Sequence, residues 1–192
     1  KDDLYFASAE QLFLDRQYDK ARVTLGEYLN AWPSGRSRDK AEYYIAECYR
    51  LSGDYERARD AYEGVIDKGE GLFVEASMLR YAELSYKLEH WQEAYLAYTS
   101  LYGKVSSADT GKTALVGRMR SAYRARLYPE AENCAASVIV SEAPSVELLR
   151  EAEYVRAKSL LSLSRRDAAY ELFTKLANNP TDRCGAGAEY LL

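Results

Sequence analysis

One pattern returns through this chain at a near-constant spacing, and it limits what the chain can fold into. Tyr55-Glu56-Arg57-Ala58-Arg59-Asp60-Ala61-Tyr62 has counterparts at 18–25, 91–98, 128–135 and 165–172. With the small residue as phase marker, Ala21, Ala58, Ala94, Ala131 and Ala168 stand 37, 36, 37 and 37 residues apart. A fixed period of about 20 to 50 residues implies stacked supersecondary units, none of which buries its apolar face alone. The 192 residues therefore count repeats rather than globular domains.

Each unit reads as two helices. In the first, residues 1–16 bring Leu4, Ala7, Ser8, Gln11 and Leu12 near one another. Its partner has Ala21, Thr24, Leu25 and Tyr28 at i, i+3, i+4 and i+7, the spacing of one helical face. Pro33-Ser34-Gly35 breaks that helix. In the second unit Ala41, Tyr44, Ile45 and Cys48 form one stripe and Tyr43, Glu47 and Arg50 another. Gly53 stops the helix, and Asp54 is placed to cap the next one, which carries Ala58, Ala61, Tyr62 and Val65.

The third unit runs from Leu72 through Ala76, Leu79, Tyr81, Ala82 and Tyr86 to Trp91, Ala94, Ala97, Tyr98 and Leu101. A polar link, Gly103 to Lys112, follows as the longest connector. The fourth has Val116, Met119, Ala122 and Tyr123, then Tyr128, Ala131, Cys134, Ala135 and Val138, and Pro144 ends it. The fifth has Leu148, Ala152, Val155 and Leu160, then Ala169, Leu172, Phe173 and Leu176, with Pro180 as the stop. Ala188-Glu189-Tyr190 repeats Ala152-Glu153-Tyr154 and Ala41-Glu42-Tyr43, which opens a sixth unit.

The predicted fold is an all-α, right-handed α-α superhelix of five helix hairpins plus a partial sixth. It is read as one domain over 1–192, with repeats near 2–35, 37–70, 72–107, 110–144, 145–180 and 181–192. Turns this short allow only antiparallel hairpins. Lys1 in place of methionine, and Leu191-Leu192 where a polar cap is expected, point to a piece of a longer chain.

Composition narrows the function classes. With 47% hydrophobic and 29% charged residues the chain has an ordinary globular makeup, so disorder is not expected. A net charge of -4 lacks the strongly basic footprint of a nucleic-acid binder. No apolar run approaches the roughly 18 residues needed to span a bilayer. Cys48, Cys134 and Cys184 form no C-x-x-C pair, so neither a zinc site nor a disulfide framework is expected. Eighteen tyrosines against four phenylalanines suit half-buried seams between stacked helices, where a ring is buried and a hydroxyl stays polar.

The residues resemble the tetratricopeptide repeat family. The resemblance rests on Tyr18/Ala21, Tyr55/Ala58, Trp91/Ala94 and Tyr128/Ala131, on the large residue four further on (Leu25, Tyr62, Tyr98), and on Pro33 and Pro180 twelve past the alanine. Ala9, Ala46 and Ala82 fit the small position of the first helix. Met119 and Arg156 depart from that position, with a slip to Ala157 in the fifth unit, and two prolines are missing. Repeats of this length look like those of bacterial cell-envelope proteins, which implies a periplasmic or envelope location, with the cytoplasm as the alternative. In the family, the inner groove is lined by the first helix of each unit.

Several motifs invite a sharper reading. Gly111-Lys112-Thr113 ends like a phosphate-binding loop, but Ser106 stands where the loop needs glycine and no strand precedes it. It reads as a polar loop with a helix start. Arg118, Arg120, Arg124 and Arg126 cluster, with Arg120 and Arg124 at i and i+4 beside Tyr123. They read first as a solvated face and second as a grip on a carboxylate or acidic peptide. The same groove phase holds Tyr43, Glu47 and Arg50, then Leu79, Glu83, Tyr86 and Lys87. Mixed charge with interleaved tyrosine suits an extended peptide or partner helix. His90 in a turn has no patterned nucleophile around it, and no residue is assigned a chemical step, a metal or a cofactor.

The expected function is a non-catalytic scaffold holding a protein or peptide in its concave face, over a standard interface of roughly 1,600 Å². A regulatory module of a larger enzyme or signalling protein, and a module that self-associates through its ends at Leu191 and Leu192, are the alternatives.

Overall fold

The structure, a computed structural model, describes residues 1–178 and 183–191, with backbone only at 189 and 190. Among the described residues there are eleven helices and no strand: α1 (Asp2–Leu14), α2 (Tyr18–Ala31), α3 (Arg38–Leu51), α4 (Tyr55–Asp67), α5 (Val74–Lys87), α6 (Trp91–Tyr102), α7 (Ala108–Arg124), α8 (Tyr128–Ile139), α9 (Val146–Ser162), α10 (Arg166–Ala177) and α11 (Arg183–Leu191). They form two compact units, residues 1–90 and 91–192. In the first, each helix from α1 to α5 packs on the next; in the second, the same holds from α6 to α11. First helices of successive hairpins also touch, α1 on α3, α7 on α9 and α9 on α11.

The turn inside each hairpin is one device used five times. Arg16, Gly53, Glu89, Arg126 and Ser164 all take positive φ, between 59° and 81°. The next residue's N–H reaches back five positions: Gln17 to Leu12, Asp54 to Tyr49, His90 to Ser85, Leu127 to Ala122 and Arg165 to Leu160, at 2.8 to 2.9 Å. This left-handed stop satisfies carbonyls at the helix end. Only Gly53 advertises it, because the other four positions carry side chains that usually avoid that conformation. Asp54 then caps α4 as expected, its carboxylate accepting from the Arg57 N–H at 3.2 Å.

Close packing rests on the phased alanines. Ala9, Ala46 and Ala82 on first helices and Ala21, Ala58, Ala94 and Ala131 on second helices are all fully buried. Large residues fill the space between: Leu25, Tyr28 and Tyr62 in the first unit, Leu101, Met119 and Leu176 in the second. Met119, the departure from a small residue, is fully buried within its own core cluster. Tyr28 is buried with its hydroxyl accepting from the Ser37 N–H at 3.2 Å, and Gly35 lies against that hydroxyl, where a Cβ would collide.

Four sequence expectations need correction. Leu4, Ala7, Ser8 and Gln11 are exposed; α1 buries Phe6 and Ala9 instead, and Phe6 meets Tyr28 edge-on at 5.6 Å. The aromatic ring removes more apolar surface from water than Leu4 does, and that sets the helix rotation. Leu72 is 93% exposed, because α5 begins only at Val74. The polar link is shorter than expected, since Ser107 caps α7 and Ala108 to Lys112 already form its first turn. Ala168 is exposed and Ala169 takes the buried fifth position, because the turn at Ser164 falls one residue late. Pro180 and Leu192 lie outside the described residues.

Candidate functional site

In the first unit, Arg50, Glu83 and Lys87 line a single cleft of about 370 Å³, together with Leu51, Tyr55, Arg80 and Leu84. The cleft lies where the end of α3 and the start of α4 face α5. Glu47 is 7% exposed and close to it. Arg50 donates to that carboxylate through Nε at 3.3 Å and Nη2 at 2.5 Å, and Arg80 Nε stands 3.6 Å from its Oε1. The Tyr62 hydroxyl also donates to Glu47. Burial alone would raise the Glu47 carboxyl, but hydrogen bonds from Arg50 and Tyr62 and the two arginine charges outweigh it and hold it below the ordinary glutamate value. Burial and the hydrogen bond to Glu47 push the Tyr62 phenol up.

Glu47 thus holds both arginines in place. Arg80 bonds the rim carboxylate Glu83 through Nη1 at 3.0 Å, and the Lys87 ammonium sits 4.1 Å from the centre of the Tyr55 ring. Tyr43 lies outside the cleft, stacked on Phe73 at 5.0 Å and tilted against Tyr62 at 5.9 Å. Leu79 and Tyr86 are half-buried on α5 and do not line it. Arg80 lines the cleft and Tyr62 bonds Glu47 beneath it, and the sequence pattern singled out neither as a groove residue. Arg80 was legible, three residues before Glu83 on the same helix face; Tyr62 was read only as a core position.

In the second unit Arg118, Arg120 and Arg124 are each held by a neighbour, while Arg126 is exposed. Arg120 makes a two-pronged pair with Glu151 of α9, at 2.7 and 2.8 Å. Arg124 lies over the Trp91 ring of α6 at 4.4 Å, and Arg118 over the Tyr102 ring at 4.9 Å with a bond to Thr99. Arg120 and Arg124 therefore reach neighbours on different helices instead of converging on one seat. Tyr123 is half-buried edge-on to Tyr128 at 6.5 Å. Lys112 and Thr113 lie within α7, and the Thr113 hydroxyl bonds the Asp109 carbonyl at 3.1 Å. His90 Nε2 stands 3.9 Å from Glu56. Among the described residues no group of three or more His, Cys, Asp or Glu is arranged to hold a metal, and no helix is long and apolar enough to cross a membrane.

The family model for anaphase-promoting complex, cyclosome, subunit 3 matches residues 15–100. No curated protein matches the sequence. Solved structures do resemble it. A tetratricopeptide repeat protein from Parabacteroides merdae has a TM-score of 0.71 at 14% identity, covering 98% of this chain and 72% of that one. YrrB, a tetratricopeptide protein with an unusual peptide-binding site, has 0.69 at 17%, covering 98% and 91%. A MamA fragment from Desulfovibrio magneticus has 0.61 at 14%, covering 91% and 92%. The fold is that of the tetratricopeptide-like helical solenoids.

Proposed function

We propose that this chain is a non-catalytic scaffold that holds a peptide or a segment of a partner protein against its first helices. The observation that carries the reading is the cleft beside α5, where two arginines are preset by a buried carboxylate and flanked by Leu51, Leu84 and Tyr55. Preset donors beside apolar walls lower the ordering cost of binding. The fold is shared with YrrB, which is described by its peptide-binding site. The period of 36 to 37 residues is what speaks for an envelope-type relative of the family. A random peptide library displayed on phage, selected on the folded chain, tests the scaffold reading. Enrichment of a shared peptide pattern, with binding weakened about fivefold or more by Lys87→Glu, is expected. Failure to enrich any pattern contradicts it.

A further inference from the structure

Arg80 divides its guanidinium between two carboxylates of different standing. Glu47 has a side chain 9% exposed and carries bonds from Arg50 and Tyr62 as well, so it is a fixed part of the floor. Glu83 has a side chain 39% exposed and is bonded through Arg80 alone, three residues away on the same helix. An exposed pair of this kind contributes little and exchanges readily with other carboxylates.

We propose that Glu83 is a built-in competitor occupying the seat of a partner's carboxylate, and that the cleft takes an acidic side chain flanked by apolar residues. This rests on the scaffold reading and names the chemistry of its ligand. Charge counts in its favour: Arg50, Arg80 and Lys87 line the cleft, and only Glu47 and Glu83 oppose them. Lys87 rests on the Tyr55 ring and has no carboxylate partner among the described residues. A monoanion entering the cleft balances the surplus cation, and displacing Glu83 opens Arg80 Nη1 to it. Leu51, Leu84 and the Tyr55 ring offer apolar contact to the residues on either side of that acid. Nothing at Glu47 changes in the exchange, so the arginine geometry is retained.

The probes are the blocked tripeptide acetyl-Leu-Glu-Leu-amide and its Gln counterpart, titrated while the arginine Nε–H NMR signals of Arg50 and Arg80 are followed. The Glu peptide is expected to move the Arg80 signal and the Gln peptide to move it much less. Glu83→Gln, a same-sized change at a half-exposed position, is expected to tighten the Glu peptide about two- to threefold. Equal response to both peptides keeps peptide binding but overturns the acid seat. Response to the Glu peptide with unchanged or weaker affinity in Glu83→Gln overturns the competitor. Absence of any response to either peptide, with the phage-selected peptide still bound, overturns this inference alone; absence of both overturns the scaffold reading as well.

Discussion

Glu47 shows how one residue can look like a binding group in sequence and serve as a foundation in structure. Its position on the Tyr43, Glu47, Arg50 stripe is right for a groove, yet its carboxylate is buried and bonded by Arg50 and Tyr62. Replacing it by glutamine leaves two arginines short of their counter-charge, and Glu47→Gln is expected to cost about 2 kcal/mol in urea unfolding at neutral pH. The sign with pH follows from its lowered folded value. Its contribution is present above the ordinary glutamate value of 4.5 and is lost as pH falls through the folded value. Wild-type stability therefore declines on acidification below about pH 4.5, and Glu47→Gln flattens that decline. Burial also pushes the Cys48 thiol up to about 12 and raises Cys134. Both are expected to resist a thiol reagent at pH 8 until the chain unfolds.

At the scale of the elements, the hairpin turn is the feature that sequence reading half caught. Gly53 was legible as a stop because glycine accepts positive φ freely. Arg16, Glu89, Arg126 and Ser164 take the same conformation without the residue type that signals it. Gly53→Ala is expected to cost about 1 kcal/mol, whereas Glu89→Gly stays within about 0.5 kcal/mol of wild type, relief of strain offsetting the freer unfolded chain. Thermal or urea unfolding separates the two. Gly117 within α7 lies against the Tyr98 ring, closer than a Cβ allows. Glycine to alanine inside a helix ordinarily gains up to about 1 kcal/mol. Gly117→Ala is expected instead to lose about 1 to 3 kcal/mol, because Tyr98 is buried and has little room to move. An alanine at a fixed period marks a close approach and is legible in sequence, whereas which of Leu4 or Phe6 faces inward depends on the partner ring at Tyr28.

For the molecule as a whole, the period of 36 to 37 residues carried most of the architecture. It placed the hairpins and both sets of buried alanines but not the rotation of α1, and it slipped by one residue before Ser164. The site was less legible. Sequence placed Arg50, Glu83 and Lys87 on one face, and the structure brings them to one cleft. It also placed Arg120 and Arg124 together, but ion pairing with Glu151 and stacking on Trp91 draw them to different helices. Charge pattern along one helix does not reveal which neighbour claims a side chain. Hydrogen–deuterium exchange with a phage-selected peptide bound tests the scaffold account most directly. The account predicts added protection on α3 and α5, around Arg50, Arg80 and Lys87. Protection confined to the second helices α2 and α4 would contradict it.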